Sequence, residues 1–199
     1  MVRFASNWYY KGFKKKLVNE VGREDADAIW REALGIYEKL LSASPDIRNH
    51  KGFMVMPAVA LFKALDSRSL DARRMLGEYG ASMGKKFAGI VHFFTSLPGA
   101  SKSIWKKVGP TMERNSSPQK GYRRRIVSEP PDMYGVDILS CPYHELAKQY
   151  DAEGAVMCIC DMDKEYMKGF KYIRYERTTA VSEGAECCDY RLRFDPEKK

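Results

Sequence analysis

Residues 171–194, KYIRYERTTAVSEGAECCDYRLRF, contain two segments in which polar and apolar side chains alternate. The alternation extends over residues 171–179 and 186–194, and the polar residues 182–184 lie between the two segments. A period of two is typical of β-strands with one buried face, and a short polar connection favours antiparallel neighbours. The sequence therefore predicts two antiparallel strands at this end of the chain.

Two further strands are predicted upstream. Residues 122–128 and 134–140 fit strands, and the segment 129–132, Glu-Pro-Pro-Asp, is typical of the turn between them. Residues 142–150 begin with a proline, which the first turn of a helix tolerates, and predict a short helix. Residues 154–168 are long enough to favour a second helix.

The first hundred residues have helical patterns. Residues 24–41 combine apolar positions near the helical period with acidic residues in the first turn. Residues 57–65 predict a short buried helix with proline in its first turn, and residues 69–94 predict a long one. A further helix is predicted within residues 100–120. Three glycines of the long helix are spaced to share one face and favour close approach of another helix: Gly77, Gly80 and Gly84.

Helices followed by an antiparallel sheet are typical of the α+β class. We expect a helical N-terminal half, residues 1–100, packed on a C-terminal antiparallel sheet within residues 121–194. A chain of 199 residues can bury one substantial core, so a single domain covering residues 1–199 is the prediction.

The composition indicates a globular protein, with 44% hydrophobic and 30% charged residues. The N-terminal residues lack the apolar stretch of a signal peptide. The longest apolar run, residues 53–62, is far shorter than the roughly 20 residues that a membrane helix needs. We therefore expect a cytoplasmic protein without a membrane partner.

The charge is distributed unevenly along the chain. Residues 1–125 contain 24 lysines and arginines against 11 acidic residues, whereas residues 126–199 contain 10 against 15. A basic half can bind nucleic acid. Here the basic residues are scattered and match no nucleic-acid motif, so we expect a solvated helical surface rather than a nucleic-acid partner. A homo-oligomer remains open.

All five cysteines lie in the last 60 residues, at positions 141, 158, 160, 187 and 188. Their number is odd, and thiols in a cytosolic protein stay reduced, so a disulfide framework is not expected. Reduced cysteines can fill the core, bind a metal or react. These three roles are the alternatives that the sequence leaves for them.

The cysteines belong to short motifs that follow one another in a defined order. Cys141-Pro142-Tyr143 follows a predicted strand, and Cys160-Asp161 follows a glycine-containing segment. Residues 174–178, Arg-Tyr-Glu-Arg-Thr, precede Glu183-Gly184 and then Cys188-Asp189-Tyr190-Arg191. Together these motifs resemble the L-2-amino-thiazoline-4-carboxylate hydrolase family, although tyrosine 190 stands where phenylalanine is common in the family.

The resemblance covers roughly residues 95–194 and implies a hydrolase for a small cyclic amidine. In 2-amino-thiazoline-4-carboxylate, C2 is bonded to sulfur, to the ring nitrogen and to an exocyclic amine. Hydrolysis by water gives an N-carbamoyl cysteine. The reaction needs a nucleophile at C2, a carboxylate for the amidinium, an acid for the departing sulfur and a cation for the substrate carboxylate.

The sequence offers candidates for each role. Cys141 could attack as a thiolate, because the predicted helix that follows it would lower its pKa. Asp161 or Asp189 could hold the amidinium or serve as general base, and Arg174 or Arg177 could bind the carboxylate. The predicted catalytic residues are Cys141, Cys160, Asp161 and Cys188. The predicted substrate-binding residues are Arg174, Arg177, Asp189 and His144.

Alternation along the last strand places Cys188 and Asp189 on opposite faces. Cys188 is then expected inside, and Asp189 is expected to serve the backbone or an arginine.

Two alternatives stay open beside the hydrolase. Three thiols with His144 or an aspartate could form a zinc site, although the wide spacing lacks a CxxC motif, so no metal or other cofactor is assigned. The same fold could also serve as a non-enzymatic module that binds a small molecule or a metal. A fainter resemblance to ligand-binding domains related to bacteriochlorophyll vinyl reductase proteins points the same way. A pocket with Cys141 beside a carboxylate and an arginine favours the enzyme, whereas buried inert thiols favour the binding module.

Overall fold

The computed structural model describes residues 4–44, 47 and 49–198. These residues form eight α-helices and a four-stranded antiparallel sheet, so the α+β class is confirmed. The helices are α1 (Trp8–Val21), α2 (Arg23–Ala43), α3 (Asn49–Asp66), α4 (Ala72–Thr95), α5 (Ala100–Lys106), α6 (Val108–Asn115), α7 (Pro142–Lys148) and α8 (Met157–Met167). The strands are β1 (Arg123–Ser128), β2 (Met133–Ser140), β3 (Ile173–Glu176) and β4 (Cys188–Phe194).

The chain divides into two compact units. We call residues 1–80 with 146–160 the helical unit, and residues 81–145 with 161–199 the sheet unit. The prediction of one domain for the whole chain stays a prediction. Within the described part of the chain, no helix combines the length and the apolar character needed to cross a membrane.

Helix α3 differs from its prediction, because it begins at Asn49 and contains Pro57 in its interior. The sequence-based start at residue 57 was therefore wrong. Proline has no amide hydrogen, so it frees the carbonyl four residues before it. The side chain of Asn7 donates a 2.7 Å hydrogen bond to that carbonyl, on Phe53. A polar group 46 residues away thus allows the helix to continue through the proline.

Helix α4 confirms the predicted close approach at two of its glycines. A Cβ atom on Gly80 would lie 2.8 Å from the Cα atom of Cys158, within the helical unit. A Cβ atom on Gly84 would lie 3.0 Å from the Cα atom of Met162, within the sheet unit. Both contacts are with residues of α8, so the two helices pack backbone against backbone.

The basic connection between the predicted helical and sheet regions contains two helices rather than one. Helix α5 ends at Lys106 and α6 begins at Val108.

The sheet unit has the strand order β1-β2-β4-β3, with every neighbouring pair antiparallel. One face of the sheet packs on a hydrophobic core, and the alternation predicted for β4 is confirmed. Cys188 and Leu192 of β4 are buried in this core, with Tyr190 and Phe194 packed against it. The central strand contributes Tyr134, Val136 and Ile138.

The opposite face of the sheet carries an ion pair network around one buried carboxylate. Asp137 of β2 is 4% exposed and accepts 2.7 Å hydrogen bonds from Arg125 of β1 and Arg191 of β4. Burial alone would raise the pKa of Asp137, but the hydrogen bonds from the two arginines lower it below its ordinary value. The network ties three strands together on this face.

Candidate active site

The sheet unit contains a cluster of tyrosines, a thiol, a carboxylate and a guanidinium. We call it the Asp163 cluster. Its side chains come from the segment before β1, from the start of α7, from α8, from the segment after β3 and from β4. They belong to Tyr122, Cys141, Tyr143, Asp163, Arg177 and Tyr190. All six residues are partly buried, so each retains some access to solvent.

Asp163 lies at the centre of the charged part of the cluster. The hydroxyl of Tyr190 donates a 3.0 Å hydrogen bond to its carboxylate. Arg177 in turn donates to the Tyr190 hydroxyl at 3.3 Å, and its guanidinium lies 5.6 Å from the centre of the Tyr190 ring. The carboxylate and the guanidinium therefore share one tyrosine between them.

Burial raises the pKa of Asp163 above its ordinary value. The hydrogen bond from Tyr190 and the positive charge of Arg177 oppose the rise without cancelling it. A carboxyl group with a raised pKa is a stronger base than an ordinary aspartate. Carboxyl groups with such pKa values occur often at functional sites.

The tyrosines of the cluster remain protonated at neutral pH. Burial raises the pKa of Tyr143 to about 12, and it also raises the pKa values of Tyr122 and Tyr190 above the ordinary value of tyrosine. The rings of Tyr122 and Tyr143 lie 6.3 Å apart in an edge-to-face arrangement. The cluster therefore presents neutral hydroxyl groups that can donate hydrogen bonds to a ligand.

Cys141 lies immediately before α7, as the sequence predicts. Its sulfur accepts hydrogen bonds from the backbone amides of Tyr143 and His144 and from the hydroxyl of Tyr122. Burial nevertheless raises the pKa of the Cys141 thiol, and the hydrogen bonds offset only part of the rise. The expected lowering of this pKa was wrong, because desolvation of the thiolate outweighs the favourable field of the helix end.

Cys188 is buried on β4 and accepts a 3.3 Å hydrogen bond from the backbone amide of Val181. Burial raises the pKa of its thiol, and the charge of a Cys141 thiolate would raise it further. Cys141 packs against the hydrophobic core that contains Cys188. Cys160 lies on the part of α8 that belongs to the helical unit, and Asp161 is the next residue, in the sheet unit. The catalytic roles predicted for these two residues stay predictions.

The predicted substrate-binding residues lie in different places. Arg177 belongs to the Asp163 cluster, and His144 contributes its backbone amide to the Cys141 sulfur. Arg174 is exposed and donates a 3.0 Å hydrogen bond to Asp195. Asp189 accepts hydrogen bonds from the backbone amides of residues 178 and 179 at 2.8 and 2.6 Å. The expectation that Asp189 serves the backbone is confirmed.

Asp189 has the opposite electrostatics to Asp163. Partial burial would raise its pKa, but the hydrogen bonds from residues 178 and 179 lower it to about 2. Asp189 is therefore ionised at neutral pH, and its hydrogen bonds hold the chain that follows β3 against β4. It occupies the face of β4 opposite to Tyr190 and Cys188.

The sequence-based candidates did not include Asp163 or the three tyrosines of its cluster. Two of these tyrosines were nevertheless visible beside the candidate cysteines, as Tyr143 in Cys-Pro-Tyr and Tyr190 in Cys-Asp-Tyr. Asp163 lies three residues after Cys160, which places the two residues near one another on a helix. Within the described ranges, no group of three or more His, Cys, Asp and Glu residues is arranged to hold a metal ion.

Comparison with known sequences decides the family. The family model of L-2-amino-thiazoline-4-carboxylic acid hydrolase matches residues 47–192. This match covers well over half of the chain. The chain belongs to the L-2-amino-thiazoline-4-carboxylic acid hydrolase family. Its cysteine motifs and the Asp163 cluster lie within the matched region of the family. No curated protein matches the chain.

The solved structures with a distant likeness include H-NOX proteins. An H-NOX protein from S. oneidensis in the Fe(II)NO ligation state is 11% identical, with 94% of this chain and 97% of that chain covered and a TM-score of 0.44. An Fe(II) unliganded H-NOX protein from K. algicida is 8% identical, with 96% of each chain covered and a TM-score of 0.41. Similarity at these identities and TM-scores does not indicate which ligand this chain binds or which reaction it catalyses.

Proposed function

We propose that this protein is a hydrolase that opens the ring of a small cyclic amidine such as 2-amino-thiazoline-4-carboxylate. Membership of the family supports the reaction class. The observation that carries the proposal is the desolvated Asp163 carboxyl group, which shares Tyr190 with Arg177. A carboxylate, a guanidinium and neutral hydroxyl donors are the groups that an amidine with a carboxylate substituent requires.

Asp163 is the proposed general base. In the reaction, the oxygen of a water molecule forms a bond to C2 of the ring, and the bond between C2 and sulfur breaks. One proton of the water passes to the Asp163 carboxylate, and the C2=N double bond becomes a single bond. The second proton leaves the C2 oxygen as it becomes a carbonyl. The two protons end on the ring nitrogen and on the departing sulfur, which gives the urea and the thiol of N-carbamoyl cysteine. Because its pKa is raised, Asp163 accepts a proton more readily than an exposed aspartate would.

Arg177 is proposed to attract the carboxylate of the substrate, because a guanidinium matches the geometry of a carboxylate. Tyr122 and Tyr143 are proposed to donate hydrogen bonds or the proton that the departing sulfur takes. Cys141 is proposed to contact the ring as a neutral thiol. Its raised pKa disfavours attack by a thiolate, so water rather than sulfur is the proposed nucleophile.

The test is turnover of L-2-amino-thiazoline-4-carboxylate, followed by chromatographic detection of N-carbamoyl-L-cysteine. We expect the wild type to form this product and Asp163→Asn to be slower by about 100-fold or more, as for loss of a general base. Asp161→Asn makes the same change at the competing candidate base, two residues earlier on α8, and should keep the turnover of the wild type if Asp163 is the base. Equal activity of wild type and Asp163→Asn, or a loss confined to Asp161→Asn, would show that Asp163 is not the base.

A second candidate is a non-enzymatic module that binds a small amidine or a related compound. The burial and raised pKa values of both Cys141 and Cys188 favour it, because such thiols react poorly at neutral pH. Titration calorimetry with the same compound separates the two functions. Binding that Arg177→Gln weakens, together with no turnover by the wild type, would reject the hydrolase and support the binding module.

A further inference from the structure

The end of α4 exposes four large apolar side chains. Ile90, Phe93, Phe94 and Leu97 are 54%, 67%, 59% and 52% exposed. Their spacing of three, four and seven residues from Ile90 is that of one helical face, and Leu97 lies in the turn that follows the helix. We call these four residues the α4 stripe. Single exposed apolar residues are common, but four on one face mark an interaction surface.

The sequence around the α4 stripe contains positively charged residues and no negatively charged ones. Residues 79–112 contain five lysines and neither aspartate nor glutamate. All five lysines are exposed, at positions 85, 86, 102, 106 and 107. Lys86 lies one helical turn before Ile90, and Lys102 lies five residues after Leu97. The apolar stripe is therefore flanked on both sides by positive charge that no acidic residue of the same segment neutralises.

We propose that the α4 stripe and its lysines dock on an anionic lipid surface. Aromatic and aliphatic side chains on one helical face enter the boundary between headgroups and acyl chains, while lysines bind anionic headgroups. The long lysine side chains can keep their charge among the headgroups while their methylene groups cover apolar surface. This proposal departs from the sequence-based expectation of no membrane partner, and it requires no membrane-spanning helix.

Charge argues against a second copy of the chain as the occupant of this surface. Two α4 stripes facing one another would bring two acid-free, lysine-rich segments together, which like charges disfavour. Four residues also fall far short of the roughly 20–30 residues that each partner contributes to a standard interface. An anionic lipid surface has the complementary charge and needs only a small apolar contact.

The experiment is co-sedimentation of the full chain with vesicles of phosphatidylcholine alone or of phosphatidylcholine mixed with phosphatidylserine. We expect binding to the mixed vesicles at low salt, weaker binding at high salt, and little binding to phosphatidylcholine alone. The double variant Phe93→Ser/Phe94→Ser should bind the mixed vesicles at least about tenfold more weakly than the wild type. Val127→Ser, which changes another exposed apolar residue of the sheet unit, is the matched control and should bind like the wild type.

Circular dichroism and urea unfolding of each variant ensure that a loss of binding is not a loss of fold. A wild type that stays in the supernatant with mixed vesicles would overturn the proposal. So would a double variant that sediments as well as the wild type, because binding would then be purely electrostatic. Self-association that the double variant abolishes, without vesicle binding, would assign the stripe to a second copy. Binding of the wild type to polyglutamate but not to vesicles would assign it to an acidic protein.

Discussion

Each unit of this protein contains a group of tyrosines around a cysteine, and the two groups differ in what surrounds them. In the helical unit, Tyr9, Tyr10 and Tyr79 surround Cys158, and all four residues are buried. The Tyr9 hydroxyl donates to the backbone carbonyl of Cys158 at 2.7 Å, and the Tyr10 hydroxyl lies 3.4 Å from the Cys158 sulfur. We call this group the Cys158 cluster.

The hydroxyl and thiol groups of the Cys158 cluster form hydrogen bonds with other atoms of the protein. Tyr10 donates to the carbonyl of Met54, Tyr79 donates to the carbonyl of Tyr9, and the Cys158 thiol donates to the carbonyl of Ala155. The Asp163 cluster, by contrast, is partly exposed and contains a carboxylate and a guanidinium. The same residue types therefore serve packing in the Cys158 cluster, where backbone carbonyls complete their hydrogen bonds, whereas the Asp163 cluster combines them with two ionisable groups.

The largest expected effect separates the two clusters by removing one hydroxyl from each. Tyr190→Phe removes the group that links Asp163 to Arg177, and we expect turnover to fall by about 10- to 100-fold, as for a hydrogen bond to a charged group. Tyr10→Phe should leave turnover unchanged but lower the free energy of unfolding by about 1–3 kcal/mol, because buried polar groups lose their partner. Steady-state kinetics and urea unfolding of both variants provide the measurements. The comparison fails if Tyr10→Phe loses as much activity as Tyr190→Phe.

A smaller effect is expected from adding a methyl group beside the Cys158 cluster. In Gly80→Ala, the new Cβ atom would overlap the backbone of Cys158, and we expect a loss of about 1–3 kcal/mol in the free energy of unfolding. Gly89→Ala, in the same helix, is the control, because a Cβ atom there meets open space among the described residues. Its higher helix propensity should stabilise the protein by up to about 1 kcal/mol. Equal stability of the two variants in urea would contradict the close packing of α4 on α8.

The pH dependence of the free energy of unfolding tests whether the Asp163 cluster contains a desolvated carboxyl group. The pKa of Asp163 is raised in the folded protein, so the folded state binds this proton more tightly than the unfolded state does. Its contribution to stability is fully present below the ordinary pKa of aspartate and is lost as pH rises through the raised pKa.

Asp163→Asn cannot ionise, so its stability relative to the wild type should increase as pH rises through that window and then level off. Urea unfolding of both proteins at a series of pH values measures the difference. A difference that is constant with pH would mean that Asp163 is not desolvated in the folded state.

The smallest expected effect concerns the alkylation rates of the Cys141 and Cys158 thiols. Cys141 is partly buried with a raised pKa, so alkylation by iodoacetamide should be slow at neutral pH and accelerate as pH rises. Cys158 is fully buried, so its alkylation should require unfolding and follow the urea dependence of global stability. Mass spectrometry of peptides resolves the two sites. Rapid alkylation of Cys141 at neutral pH would restore the thiolate nucleophile as a candidate.

Much of the sheet unit could be predicted from the sequence, because its signals are local. Alternation along residues 186–194 correctly predicted β4 and the two faces of Cys188 and Asp189, since successive side chains of any strand point to opposite sides. The proline after Cys141 correctly predicted the start of α7, because proline suits the first turn of a helix. The turn at residues 129–132 was likewise predicted by its prolines.

The features that could not be predicted depend on residues far apart in the chain. Helix α3 continues through Pro57 with the help of Asn7, whose side chain reaches the carbonyl that proline leaves free. The pKa of Cys141 is raised rather than lowered because other segments of the sheet unit bury it. No local pattern contains either contact.

The sequence by itself determined the α+β class, the strands and their inward faces, and the family to which the chain belongs, because periodicity, turn residues and motif order are properties of neighbouring positions. Only the tertiary structure decided which carboxylate is desolvated. Asp161, Asp163 and Asp189 are the same residue type, and the sequence does not distinguish their environments. The pKa of Asp189 falls to about 2 beside the amides of residues 178 and 179. The pKa of Asp163 rises because burial beside Tyr190 removes water that would otherwise stabilise its charge.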